Sequence, residues 1–251
     1  MSRFLKAEVI ANQSLHPLYR LLTLSPQNPI EEPQPGQFYM IGVTPDPLLK
    51  RPFSHFRKSE NGDIQIFFRI KGKGTKILGE LKEGSFVEII GPLGRPYPLP
   101  PRGVPIIVAG GIGIVSLYSI IEGLKDRASV FYGARSSEEL FFLDDIKGHT
   151  EALFLTTDDG SAGKKGLITE RLESFLESLR DPFTIYACGP SRMLERVSEI
   201  IMKRNGIAYV SVEERMACGI GACLGCVIKT KKGYQRVCKE GPVFKADEIV
   251  W

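Results

Sequence analysis

Four of the five cysteines in the chain crowd into M216-A-C-G-I-G-A-C-L-G-C-V-I-K-T-K-K-G-Y-Q-R-V-C238. Thiols this close can pair as disulfides, hold a zinc ion or carry an iron–sulfur cluster. Cys218, Cys223, Cys226 and Cys238 are spaced C-x4-C-x2-C-x11-C. Zinc modules usually present two C-x2-C pairs. Only Cys223 and Cys226 make one here, and the four-residue gap before it is that of a plant-type [2Fe–2S] site. Gly219, Gly221 and Gly225 lie between the ligands, where a loop wrapping a cluster needs unusual backbone angles to turn N–H groups toward sulfur. The spacing therefore favours [2Fe–2S], with structural zinc as the alternative. Disulfides are disfavoured, because the opening MSRFLKAEVI mixes charged and apolar residues and lacks the apolar core of a secretory signal. The expected compartment is cytoplasmic, where thiols stay reduced. Cys188 stands well upstream and is not read as a ligand.

Three other stretches carry nucleotide chemistry. V108-A-G-G-I-G-I-V-S116 lies where an apolar run turns into a helical pattern. Glycines there let backbone approach a pyrophosphate, and a helix N-terminus offers N–H groups. As a dinucleotide fingerprint it is imperfect, with Ser116 at the third glycine position. C188-G-P190 also closes a predicted strand and opens a helix, the edge of a parallel sheet where ligands bind; a plain turn with a buried cysteine is the alternative. R51-P-F-S54, followed by F67-F-R-I-K-G-K-G-T75, sets arginine and hydroxyls among aromatic rings. That mixture can hold a phosphate and a flat ring system together, although phenylalanines are more often core.

The elements that must position these residues fall into two textures. Up to about residue 100, AEVIANQSL, YRLLTLS, PGQFYMIGV, GDIQIFFRI and GSFVEIIG read as short strands between turn signals, which predicts an antiparallel β-barrel over 1–100. The proline-rich run G91–P105 reads as exit loop and linker. From Val104 the pattern alternates strand and helix: PIIVAGG, VSLYSIIEGL closing at Lys125 and Asp126, ASVFYGAR, ALFLTTDDG, LITERLESFLESL, FTIYACG and SRMLERVSEIIMKRNG. Thr169 is a plausible N-cap and Gly206 a C-cap. The alternation predicts a doubly wound parallel α/β domain over 101–210, leaving 211–251 as a small cysteine-bearing domain.

Bulk composition is that of an ordinary water-exposed protein. Of 251 residues, 43% are hydrophobic and 25% charged, enough for two modest cores. The net charge of +4 is scattered, so no basic face suggests nucleic acid. Glycines break the longest apolar runs, so no membrane span is expected. With only His16, His55 and His149, a histidine-rich metal site is excluded, and no catalytic triad or paired carboxylate stands out.

A barrel with R-P-x-S, then a nucleotide domain with a glycine turn and a late C-G-P, resembles the ferredoxin reductase family of flavoproteins. The resemblance implies FAD on the barrel, met by Arg51, Pro52, Phe53, Ser54, Phe67, Phe68, Arg69, Gly74 and Thr75. It implies a nicotinamide nucleotide, NAD, lined by Gly110, Gly111, Gly113, Cys188, Gly189 and Pro190. Flavin beside a cluster has a definite meaning, because flavin exchanges electrons in pairs with nicotinamide and singly with an iron–sulfur centre.

E213-E-R-M-A-C-G-I-G-A-C-L-G-C with V237-C-K-E-G-P-V-F244, and T157-D-D-G-S161 with Y132-G-A-R135, are similar to the electron-transfer subunits of class 1B dihydroorotate dehydrogenases. That resemblance spans essentially the whole chain. It implies a catalytic FMN-containing partner that oxidises dihydroorotate in pyrimidine synthesis, in a heterotetramer of two copies of each subunit. Electrons would pass from that FMN through [2Fe–2S] and FAD to NAD+. The chain departs from the family at A109-G-G-I-G-I-V-S116, which lacks a more glycine-rich turn ending in proline, and only Arg135 offers a basic group for a 2′-phosphate. Two alternatives keep other roles open: the same cofactors serving a hydrogenase or an NADH-linked ferredoxin:NADP transhydrogenase, and a zinc-stapled binding protein without catalysis.

Overall fold

Alternating burial builds the first half. In the computed structural model, which describes residues 3–43, 46–204 and 206–251, β1 (Arg3–His16), β2 (Tyr19–Pro26), β3 (Phe38–Gly42), β4 (Arg51–Ser54), β5 (Arg57–Lys58), β6 (Ile64–Arg69) and β7 (Phe86–Leu93) form one antiparallel sheet. Its order is β4-β3-β7-β1-β2-β6-β5. Every second residue points inward: Ala7 and Val9, Leu22 and Leu24, Ile64, Ile66 and Phe68, Val87 and Ile89 share one core. The sheet curls until β4 meets β6, where the Phe53 and Phe68 rings lie edge to face at 5.3 Å.

One helix, α1 (Lys73–Glu80), closes this core with Leu78. The sequence did not point to this helix, and tertiary contacts hold it. Thr75 Oγ1 accepts the N–H groups of Lys71 and Gly72 at 2.9 and 3.0 Å, and Asn12 Nδ2 donates to the carbonyls of Leu78 and Leu81 at 3.1 and 2.9 Å. Both ends are thus satisfied by side chains rather than by propensity.

The second half alternates β8 (Val104–Gly110), α2 (Ile114–Leu124), β9 (Ser129–Ala134), α3 (Leu143–Lys147), β10 (Ala152–Thr157), β11 (Lys164–Lys165), α4 (Ile168–Ser178), β12 (Phe183–Cys188), α5 (Ser191–Met202) and β13 (Gly206–Ser211). After the small β14 (Val227–Thr230) and β15 (Gly233–Arg236) pair, β16 (Val243–Lys245) joins as an antiparallel edge. The sheet order is β11-β10-β9-β8-β12-β13-β16, parallel except at β16. The centre of β8 and all of β12 are buried, as helices on both faces require.

Two of the expected helix boundaries are corrected. Thr169 is not an N-cap: α4 begins at Ile168, and Thr169 is buried within its first turn. Packing sets that start, because Ile168 rests on Gly133 so closely that a Cβ there would lie 2.9 Å from it. Gly206 is not a C-cap, since α5 ends at Met202 and Gly206 opens β13 opposite Phe183. Its missing side chain makes room for that ring, 2.4 Å from where a Cβ would sit.

Contacts divide the chain into two units. One holds the residues up to Pro96 with Glu213–Val227 and Gln235–Pro242; the other holds Tyr97–Val212, Ile228–Tyr234 and Val243–Trp251. The last forty residues are thus shared between the units. The proline-rich run also has a fixed seat from Tyr97 onward: Tyr97 Oη donates to Ala187 O at 3.0 Å and Tyr186 Oη to Pro98 O at 2.7 Å. Among the described residues, no helix is long and apolar enough to cross a membrane.

Candidate functional site

In the α/β unit, the chain runs from β8 through β9 to β10 on one side, then crosses to β12 on the other. The point where the order reverses, between β8 and β12, leaves a crevice outside the carboxyl ends of the strands. Gly110, Gly111 and Gly113 end β8, and Cys188, Gly189 and Pro190 end β12, so the two separate signals meet there. The approach is tight. A Cβ on Gly113 would lie 2.3 Å from Cys188 O, and one on Gly189 would lie 2.9 Å from Gly110 Cα. Gly111 differs: φ is +51° and nothing lies within 4 Å of its Cβ direction, so its backbone faces open space.

The next two strands end beside this edge. Thr157 Oγ1 accepts the Ala162 N–H at 3.0 Å, and Asp159 Oδ1 accepts the N–H and hydroxyl of Ser161 at 2.9 and 2.6 Å, which closes the T157-D-D-G-S161 loop on itself. At the end of β9, Arg135 Nε donates to Glu139 Oε2 at 2.9 Å and its Nη2 to Oε1. Tyr132 Oη anchors that segment by donating to Glu139 O and accepting the Phe141 N–H, both at 3.1 Å. The only basic group the sequence offered for a 2′-phosphate is thus held by a carboxylate.

In the barrel unit, Arg51, Pro52, Phe53 and Ser54 form β4. The Arg51 guanidinium lies over Gly74 in the first turn of α1; a Cβ there would sit 2.4 Å from Nε. An arginine beside a helix N-terminus is an arrangement suited to phosphate. Thr75 spends its hydroxyl on the cap, donating to Gly72 O at 3.0 Å. The alternation of β6 splits the phenylalanines: Phe68 enters the core with Phe53, while Phe67 stacks on Tyr19 at 5.6 Å and the Arg69 guanidinium lies 5.8 Å from the same ring.

The cysteines rest on the same barrel edge. The loop of Cys218, Cys223 and Cys226 presses on β3, since a Cβ at Gly219 would lie 2.3 Å from Met40 Cγ. The turn carrying Cys238 is fixed to the end of β7, where Arg95 N donates to Gly241 O at 2.6 Å. Left-handed backbone at Gly219, Gly221 and Leu224 lets the loop fold inward. Backbone N–H groups reach sulfur: Cys223 N to Cys218 Sγ, Gly225 N to Cys223 Sγ and Cys238 N to Cys226 Sγ, each at 3.4 Å. Burial opposes ionisation of Cys218, but the N–H groups of Ile220, Cys223 and Ala222 outweigh it and bring the thiol down to about 6. Burial and the neighbouring Cys226 push Cys238 up to about 12.

These contacts join the thiols two by two, Cys218 with Cys223 and Cys226 with Cys238. A two-iron cluster asks for two thiolates at each iron, whereas a zinc staple asks for four around one. The donor set and its N–H···S bonds fit the cluster. Arg236 and Glu240 escaped the sequence reading, although R236-V-C-K-E240 flanks the fourth cysteine. Arg236 donates to Gly221 O at 2.8 Å and forks onto Glu240, whose carboxyl is thereby held down at about 2.

Comparison with known proteins gives a consistent picture. The profile of the "Iron-sulfur cluster binding domain of dihydroorotate dehydrogenase B" matches residues 213–250, and that of the "Oxidoreductase NAD-binding domain" matches residues 107–199. A protein of Caldanaerobacter subterraneus subsp. tengcongensis, named dihydroorotate dehydrogenase B (NAD(+)), electron transfer subunit, is 37% identical over 98% of each chain. A homolog of that subunit from Aquifex aeolicus is 36% identical, again over 98% of each. Among solved structures, the NADH-dependent reduced ferredoxin-NADP oxidoreductase, studied for flavin-based electron bifurcation, superposes with a TM-score of 0.86 at 27% identity, covering 98% of this chain and 90% of the other. A Neisseria gonorrhoeae ferredoxin NADP+ reductase shares the fold at a TM-score of 0.68 and 17% identity, over 86% of this chain and 95% of the other.

Proposed function

The chain belongs to the family of dihydroorotate dehydrogenase B electron transfer subunits, and from that premise we propose that it carries electrons from the FMN of a catalytic dihydroorotate dehydrogenase subunit through [2Fe–2S] and FAD to NAD+, in pyrimidine synthesis. The observation that carries this reading is the pairing of the four cysteines on the barrel edge, with backbone N–H groups aimed at sulfur. Bound flavin would supply the exchange between electron pairs at nicotinamide and single electrons at the cluster. The protein's own part is to hold, orient and tune.

Arg51 and the first turn of α1 would bind the flavin diphosphate, with Ser54 and Arg69 nearby in β4 and β6. The crevice of Gly110, Gly111 and Gly113 against Cys188, Gly189 and Pro190 would take the nicotinamide nucleotide. There Gly111 leaves room for a ligand, and the glycine contacts hold the two strand ends close together. The Arg135–Glu139 pair supports NAD over NADP, because a 2′-phosphate would meet a carboxylate beside the arginine. Cys218, Cys223, Cys226 and Cys238 would hold the cluster.

Exposure of the cluster loop supports docking of the partner there. Cys223 is exposed, and Ile220 and Leu224 beside it are 53% and 61% exposed, an apolar rim suited to a protein partner. A heterotetramer of two copies of each subunit, located in the cytoplasm, completes the proposal.

The deciding experiment is co-purification with the catalytic FMN subunit, followed by orotate formation with NAD+. A complex that reduces NAD+ as orotate appears is the expected result. A complex that forms but never reduces NAD+ overturns the assignment.

A further inference from the structure

R236-V-C-K-E240 sets an arginine and a glutamate on either side of Cys238. Ligation asks for neither, yet both side chains are committed to the cysteine site. Arg236 Nη1 donates to Gly221 O at 2.8 Å, within the loop of the first three cysteines. Its Nε donates to Glu240 Oε2 at 2.9 Å and its Nη2 to Oε1, a two-pronged ion pair. Glu240 Oε2 also accepts the Arg236 backbone N–H at 2.8 Å. One guanidinium therefore joins the three-cysteine loop to the turn that carries the fourth.

The two side chains are 26% and 21% exposed, so solvent screens their charges only in part. Lys239 contributes its stem, which packs where a Gly221 Cβ would lie 2.7 Å from Cδ. The sign of these charges matters to a redox centre. An electron arriving on a four-thiolate cluster adds one negative charge, with no bond broken and no proton required. A fixed cation nearby favours that reduced form, and a fixed anion disfavours it. The guanidinium, rather than the carboxylate, is the member bonded to the loop.

Resting on the cluster reading above, we propose that Arg236 and Glu240 form a polarising clamp: Arg236 fastens the loop to the Cys238 turn and favours the reduced cluster, while Glu240 holds the guanidinium and moderates its charge. Both are positioning residues. Neither is a ligand.

The test is a redox titration of the full chain with both cofactors bound, reading the cluster by electron paramagnetic resonance and the flavin by absorbance. At the potential where wild-type clusters are half reduced, Arg236→Gln should lower the reduced-to-oxidised ratio about tenfold, ~59 mV for one electron. Glu240→Gln should raise that ratio several-fold. Arg236→Lys should stay near the wild-type ratio yet lose iron faster to a chelator, because it keeps the charge without the fork.

Opposite signs are the signature, since simple loosening of the loop would move both variants the same way. Unchanged ratios, or shifts of one sign in both, would overturn the clamp. If Arg236→Gln keeps flavin but no cluster, the sign of the shift in Glu240→Gln decides, and loss of the cluster from that variant too reduces the pair to a staple and overturns the tuning. A wild-type chain that holds flavin but no iron would overturn the cluster reading instead.

Discussion

At the scale of single residues, the claims are about space, charge and ligation. Cys226 is 2% exposed and its sulfur accepts the Cys238 N–H, which suits the inner ligand proposed for it. Cys226→Ser should abolish cluster colour and iron while flavin absorbance stays; loss of both together would contradict separate sites. Gly113 offers a sharper steric test. A Cβ there would sit 2.3 Å from the Cys188 carbonyl oxygen, so Gly113→Ala must push β8 and β12 apart at their ends. The cost should be roughly 1–3 kcal/mol in unfolding experiments, with a several-fold weaker NADH affinity. His55 makes a pH prediction. Burial, then the Lys58 charge, lower its pKa to about 4 against a partial pull upward from Glu32. The folded protein keeps this ring neutral, while the unfolded chain protonates near the ordinary value. Stability is therefore whole above about pH 6.5 and falls as pH drops from there toward 4, by up to roughly 3 kcal/mol. Denaturant titrations across that range should show a shallower fall for His55→Gln.

At the scale of elements, the sequence revealed most where periodicity or glycine had one meaning. The five barrel strands that were read, the alternation from Val104 and the helix end at Lys125 (φ 45°) stand, while β4 and β5 were not read as strands. Three things stayed hidden, each for a physical reason. α1 was masked by its glycines, because Thr75, Asn12 and Leu78 hold it from outside its own sequence. β13 was hidden because Gly206, which opens it, read as the end of the preceding helix, and β16 because an edge strand of three residues carries little pattern of its own. The placement of Phe67 and Phe68 could not be read, since only the register of β6 decides which ring enters the core. The meeting of Gly110 with Gly189 was legible as two separate strand ends, and sheet order alone brought them together. At this scale the Arg135–Glu139 pair makes a testable claim. Glu139→Gln should raise the ratio of NADPH to NADH efficiency about tenfold, measured as kcat/KM with an artificial electron acceptor. An unchanged ratio would remove Glu139 from nucleotide choice.

At the scale of the whole molecule, the C-terminal segment contributes residues to both units. Glu213–Val227 and Gln235–Pro242 belong with the barrel, and Val243–Trp251 with the α/β sheet, where Val243, Phe244 and Ile249 are buried. Each such side chain contributes roughly 1.5–3 kcal/mol. A chain ending at Val212 should accordingly unfold at a lower temperature in both units; unchanged melting would mean that the segment is a detachable appendage. The residues proposed for cluster and flavin thus belong to one unit, and those proposed for the nicotinamide nucleotide to the other. As a whole, the chain converts between single electrons and hydride. The most direct test is the anaerobic addition of NADH to the purified chain, followed by a low-temperature electron paramagnetic resonance spectrum. The prediction is the signal of a reduced two-iron cluster, with bleached flavin beside it. A silent spectrum after NADH, in a sample where dithionite does produce that signal, would contradict the account.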